Sequence, residues 1–180
     1  MVFDPPGISQ ARSTIFLGEA CLEYVDNFKY LGHYIVGDLS DDLDISREVR
    51  SLYSRGNTIV RKFNFLTQDV KKSLFKSYCY PLYASPLWCN FRRASLYRLK
   101  VAYNNIMRKL VNVAPWESAR AMFVSSSVRS FDENLRVLMY SMYVRVNTNV
   151  NPIIINLKNS DCFCSSVQRN RMLNILFMAD

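Results

Sequence analysis

The acidic pair Asp41-Asp42 is the first place in this chain where residue type and spacing suggest chemistry. Adjacent carboxylates attract divalent ions, and two-metal catalysis needs such groups fixed around ions about 3.5–4 Å apart. Here Ser40 and Asp44 make the surroundings a polar helix start, not a tight turn between apolar strands, and no second acidic cluster completes a site. Cys162-x-Cys164 also suggests a metal, but zinc wants four ligands and the one histidine, His33, is far away. His33 has no Ser, Cys or carboxylate close in sequence to make it an acid or base. On these grounds we expect no catalytic residue and no metal ligand.

The cations are a stronger signal. The net charge is +8, and it is unevenly placed. Residues 1–46 hold two Lys or Arg against eight Asp or Glu (−6), and residues 47–180 hold twenty-one against seven (+14). Such asymmetry points to a polyanion partner; the other reading is a helical surface that is simply solvated and basic. Five irregularly spaced cysteines (Cys21, Cys79, Cys89, Cys162, Cys164) argue against a disulfide framework and for a reducing compartment. The first residues show neither a basic nor an apolar leader segment, and no apolar run approaches the ~20 residues that span a bilayer. An intracellular protein with no membrane partner is expected.

The elements that must position these groups follow from the patterning. Thr14-Ile15-Phe16-Leu17, Gly18-Glu19 and Ala20-Cys21-Leu22-Glu23-Tyr24-Val25 read as a hairpin with a two-residue turn. The run from Phe28 to Ile35 reads as a third strand. Phe28, Tyr30, Gly32 and Tyr34 share one face of it, Leu31 and Ile35 the other. Gly32 inside it implies a bulge or a close backbone approach. The acidic run from Asp38 to Asp44 then opens a helix with the stripe Ile45, Val49, Leu52, Ile59, Phe63, on which Gly56 lets a neighbour pack closely. No glycine follows Gly56. A second helix, capped by Thr67, must stop or kink at Pro81 and Pro86. Leu96, Leu99, Tyr103, Ile106, Leu110 and Val113 form the seam of a third, ended by Pro115. Ser130 and Glu133 form a capping box for a helix through Leu135, Leu138, Met139, Met142 and Val146, and Asn151-Pro152 starts another. The fold class is therefore mainly α, a helical bundle preceded by a small β-hairpin or three-strand unit, with a loosely held tail after residue 158.

Phe28-Lys29-Tyr30-Leu31-Gly32 resembles the F-x-Y-L-G primer grip that follows the catalytic palm in non-LTR (LINE-type) retrotransposon reverse transcriptases. Met1-Val2-Phe3 looks like the end of the preceding palm segment, and the hairpin through residues 17–25 sits where that family has one. Leu74-Phe75-x-x-Tyr78 with Pro81, Leu82, Tyr83 and Trp88 is similar to the thumb's K-x-x-L-F…P-x-x-Y…W stretch. Tyr103-Asn104-Asn105-x-x-Arg108-x-Leu110 resembles the Y-N-x-x-x-R-x-L helix that follows, and Phe123 and Ser130-Phe131 continue the series. The resemblance spans about residues 1–147. The sequence departs from the family in having no Y/F-x-D-D motif ahead of Phe28, and Asp41-Asp42 comes after the grip instead.

The resemblance implies a fragment of an RNA-directed DNA polymerase that grips primer and template without the catalytic aspartates, inactive by itself. Residues 1–37 would be a palm remnant with the primer grip, 38–158 a helical thumb-like domain, and 159–180 a tail. Phe28, Tyr30, Leu31 and Gly32 would position the primer end, or Phe28 and Tyr30 would be core aromatics beneath the helices. Tyr103, Tyr140 and Tyr143 would stack on bases or fill the core. The phosphate contacts would come from exposed helical cations: Arg61, Lys62, Lys71, Lys72, Lys76, Arg92, Arg93, Arg98, Lys100, Arg108 and Lys109. Partners would be an RNA–DNA or RNA primer–template and a palm-containing polypeptide. No cofactor belongs to this chain, Mg2+ being expected only for a complete polymerase. The alternative is a non-enzymatic helical protein-interaction module, or a decayed remnant without nucleic-acid binding. Strands 1–37, lacking a palm sheet to join, would be labile.

Overall fold

Alternating apolar residues around Gly18-Glu19 close a short hairpin of β1 (Ile15–Leu17) and β2 (Ala20–Leu22), with Leu17 opposite Ala20. This is the start of a computed structural model that describes residue 3, residues 13–161 and residues 166, 169, 170, 173 and 174. Cys162, Cys164 and most of the expected tail lie outside the described residues.

The expected third strand is instead a second hairpin, β3 (Asn27–Tyr30) and β4 (His33–Val36), turning on Leu31-Gly32. Both turn residues have positive φ, 47° and 83°. That is the demand of a tight two-residue turn whose twist matches its strands. Gly32 adopts it freely, so it is a turn residue and not a bulge within a strand. The turn also re-sorts the faces. Phe28 pairs with Ile35 and Tyr30 with His33, so these four share a side, while Lys29 and Tyr34 share the other. Lys29 Nζ lies 5.9 Å from the centre of the Tyr34 ring.

Six helices follow among the described residues: α1 (Asp42–Lys62), α2 (Gln68–Cys79), α3 (Arg93–Val111), α4 (Ala119–Ser126), α5 (Phe131–Thr148) and α6 (Pro152–Asn159). The mainly helical class with a β prelude holds, with two hairpins in place of three strands. Ile45, Leu52, Gly56 and Ile59 of α1 are buried against α3, whose Leu99, Tyr103, Ile106 and Leu110 are buried as the seam requires. Ser130 and Glu133 form the full capping box of α5, and the Asn151 side chain caps α6 ahead of Pro152. Thr67 holds the cap position of α2, but its side chain makes no cap bond. Helix α3 stops before Pro115, because Asn112 turns left-handed (φ 57°) and its N–H bonds to the Arg108 carbonyl. Helix α4 has no counterpart in the sequence reading. Its Met122, Phe123 and Ser126 are buried, too short a stripe to stand out as a period.

The two hairpins differ in attachment. No residue of β1 or β2 is buried, whereas β4 is half-buried and packs on α1. Amide exchange should divide accordingly. Residues 15–22 should exchange fast, and the Tyr34 amide, which donates to Asp44, should be protected almost as well as α1. Equal protection of both hairpins would contradict this.

Candidate nucleic-acid interface

The best-built local feature is where β3–β4 meets the helices. Asp44, in the first turn of α1, is fully buried. Its Oδ2 accepts from Trp88 Nε1 at 2.9 Å and sits 2.9 Å from His33 Nδ1. Its Oδ1 accepts from the Tyr34 amide at 3.1 Å and Arg47 Nε at 2.7 Å. Burial pushes the Asp44 pKa up, but the bonds from Arg47, Trp88 and the Tyr34 amide outweigh it and hold the pKa below its ordinary 3.8. The carboxylate is therefore ionised at neutral pH and can only accept, so His33 must carry its hydrogen on Nδ1. His33 thus has a carboxylate partner eleven residues away, which sequence proximity did not reveal.

Neighbouring groups extend this cluster. Glu48, also fully buried, accepts from Arg47 at 3.0 Å and from Arg55. Asp41 accepts from the amides of Cys89 and Asn90 at 2.7 and 2.8 Å, and Asp42 from the amide and Nε of Arg92. The acidic run therefore does more than complement the helix N-terminus: it ties α1 to β4 and to residues 88–92. With N–H donors occupying Asp41, Asp42, Asp44 and Glu48, this donor set does not fit a divalent ion. Among the described residues no group of three or more His, Cys, Asp or Glu is placed to hold one.

This clamp presents the F-x-Y-L-G segment outward. Phe28, Tyr30 and Leu31 are exposed, 53%, 57% and 75% respectively, so the two aromatics are not core residues beneath the helices. The Tyr83 hydroxyl donates to the Leu31 carbonyl, and its ring lies over Gly32. Arg47 in turn stacks over Tyr83, its guanidinium 5.6 Å from the ring centre. Other motif residues converge in the core. Phe75, Tyr103, Phe123 and Phe131 form one aromatic core, with Tyr103 at 5.0–5.8 Å from the other three rings. Tyr103 is fully buried, burial raises its pKa, and its hydroxyl donates to the Arg129 carbonyl at 2.9 Å. It cannot stack on a base. Tyr140 is exposed and Tyr143 half-buried.

The expected cations fall into three groups. Arg61, Lys62, Lys76, Arg93, Arg98 and Lys109 are exposed, with no ion pair among the described residues. Lys72 pairs with Asp69 (3.2 Å), Arg92 with Asp42 (2.6 Å) and Lys100 with Asp132 (2.5 Å). Arg108 is half-buried and donates to the Glu117 carbonyl at 3.0 Å. Lys71 is a correction: at 9% exposure it belongs to the buried side of α2, with its stem covered, and is not an exposed helical position. Sequence reasoning missed Arg50, which is exposed on the same outward arc of α1 as Ser54 and Arg61. Counting back from Arg61 in helical steps would have found it. Ser54, Asn57, Thr58, Arg61 and Lys62 line a surface hollow of about 630 Å³. It also missed Arg120 and Arg129, which line a cleft of about 720 Å³ between α3, α4 and α5, because α4 itself was not foreseen.

No helix among the described residues is long and apolar enough to cross a membrane. Cys21, Cys79 and Cys89 are respectively exposed, buried and half-buried, and burial pushes the Cys79 pKa up to about 12. The chain matches no family model, no curated protein and no solved structure.

Proposed function

We propose that this chain binds a primer–template as the primer-grip and thumb portion of a retrotransposon-type RNA-directed DNA polymerase, without performing catalysis itself. What carries the reading is the exposed F-x-Y-L-G hairpin, held by a buried carboxylate on a helical body whose free cations lie on outward arcs of α1, α2 and α3. A binding tip needs exposed contact atoms on a fixed base, and Asp44 supplies the base. The cations supply contacts to phosphate, which hold a duplex without reading its sequence. Mg2+ would belong to a complete polymerase, and the partners are the primer–template and a palm-containing polypeptide.

Fluorescence anisotropy with a labelled RNA–DNA primer–template tests this. With about five cations on phosphates, log K falls against log salt at a slope of about −4.5, roughly 500-fold in affinity between 50 and 200 mM. The sequence of the duplex should make no difference. Absence of binding at low salt would overturn the reading.

One observation favours the second reading, a helical protein-interaction module. Ile15, Phe16 and Leu17 on β1, and Ile153 and Leu157 on α6, are exposed apolar side chains on elements with no buried residue. A protein partner would cover them.

A further inference from the structure

We propose that the outward arc of α3, together with the turn beyond it, binds unpaired nucleic-acid strand by base stacking, an inference that rests on the nucleic-acid reading above. Arg93, Tyr97, Lys100, Asn104 and Arg108 recur at steps of four, three, four and four, so they share one side of α3. None belongs to the buried seam, and the arc runs about 22 Å. At its far end Arg108 donates to the Glu117 carbonyl, and the Glu117 amide bonds back to the Ala114 carbonyl at 3.2 Å. This fixes the turn that carries Trp116.

Trp116 is 86% exposed and Tyr97 66%. Singly exposed rings are ordinary on a protein surface, but Tyr97 stands between Arg93 and Lys100 on the arc and Trp116 in the turn that Arg108 fixes. The cleft of about 720 Å³ is lined by Lys100 and Asn104 of the same arc together with Arg120 and Arg129. Its two carboxylates are already engaged, Asp132 with Lys100 and Glu133 with Ser130 of the capping box. The pair of Lys100 with Asp132 is exposed and weak, so a phosphate can displace it. Aromatic faces interleaved with cations fit a single strand, whose bases are free to stack; a duplex offers phosphates but hides its base faces. The ligand chemistry is an unpaired polynucleotide, RNA or DNA.

Trp116 makes the test direct, because the other tryptophan, Trp88, is 2% exposed and bonded to Asp44. Quenching by added strand therefore reports Trp116, and Trp116→Phe verifies the assignment. The full chain is titrated with oligo-rU, oligo-dT and a duplex of equal length, reading tryptophan emission and anisotropy together. We expect both single strands to quench emission, the stronger of the two identifying the source. Tyr97→Ala and Trp116→Ala should each weaken single-strand binding about tenfold or more while leaving duplex binding within about twofold. Binding by anisotropy without quenching overturns the stacking proposal and leaves the primer–template reading standing. Equal loss of strand and duplex binding in both variants also overturns it. No binding to any of the three overturns both.

Discussion

Replacing Asp44 with alanine is expected to cost about 3–5 kcal/mol of folding stability, the scale for removing one partner from a buried charged cluster. The loss is large because of what stays behind. Trp88 Nε1, the Tyr34 amide, His33 Nδ1 and the Arg47 guanidinium would lose an acceptor in a place where Asp44 itself is wholly shielded from water. Asp44→Asn keeps one acceptor oxygen and should fall between alanine and wild type. Urea denaturation measures both, and a loss under about 1 kcal/mol for alanine would show that the cluster does not hold the hairpin.

The same residue sets an acid limit. Its folded pKa is depressed, so its stabilisation is fully present above the unfolded value near 3.8 and is lost as pH falls through the lower folded value. Asp42 acts in the same direction: burial pushes its pKa up, but the bonds from Arg92 and Ser95 outweigh this and lower it. Asp41 opposes them. Burial raises its pKa despite the amides of Asn90 and Cys89, so its proton uptake favours the fold as pH descends toward 3.8. The steep loss should therefore lie below pH 3.8, and it should be shallower in Asp44→Asn. Identical acid limbs in the two proteins would contradict the assignment.

This cluster also marks what the sequence could and could not reveal. The helical stripes of α1 and α3, the capping box at Ser130 and the Asn151-Pro152 start were legible because each depends on residues within one turn or on a repeating period. The partners of Asp44 were not. Trp88 lies 44 residues away and His33 eleven, beyond the reach of any local period. Alternation of apolar residues through Leu31-Gly32 looks the same whether the chain continues or doubles back, and only the backbone angles decide. Exposure was the other blind spot. Tyr103 and Trp116 are both aromatic residues in a basic helical region, yet one is sealed in the core and the other stands in water. Lys71 was misplaced for a related reason: its α2 spacing puts it on the side of Phe75.

Gly56→Ala is expected to destabilise the chain by about 2 kcal/mol, although alanine is the better helix former by about 1 kcal/mol. Packing reverses the sign. A Cβ at position 56 would sit 2.5 Å from Ile106 Cγ2 and 2.7 Å from its Cγ1 and Cδ1. Isoleucine within a helix has essentially one χ1 rotamer, so Ile106 cannot swing clear, and α1 and α3 must separate. Overpacking of this kind costs about 1–3 kcal/mol or more, and Gly56→Leu should cost still more than alanine. A cycle with Ile106→Ala isolates the cause, because that change removes all three crowding atoms. Alone it should cost about 2–5 kcal/mol as a cavity, and the double variant should cost clearly less than the sum. Additivity of this pair, or a Gly56→Ala chain at least as stable as wild type, would sink the close-packing account. Asp44, twelve residues and about 18 Å up the same helix, shares no partner with Gly56, so Gly56→Ala and Asp44→Ala should add within about 0.5 kcal/mol. That contrast separates the two roles of α1, closing the core at one end and clamping the hairpin at the other.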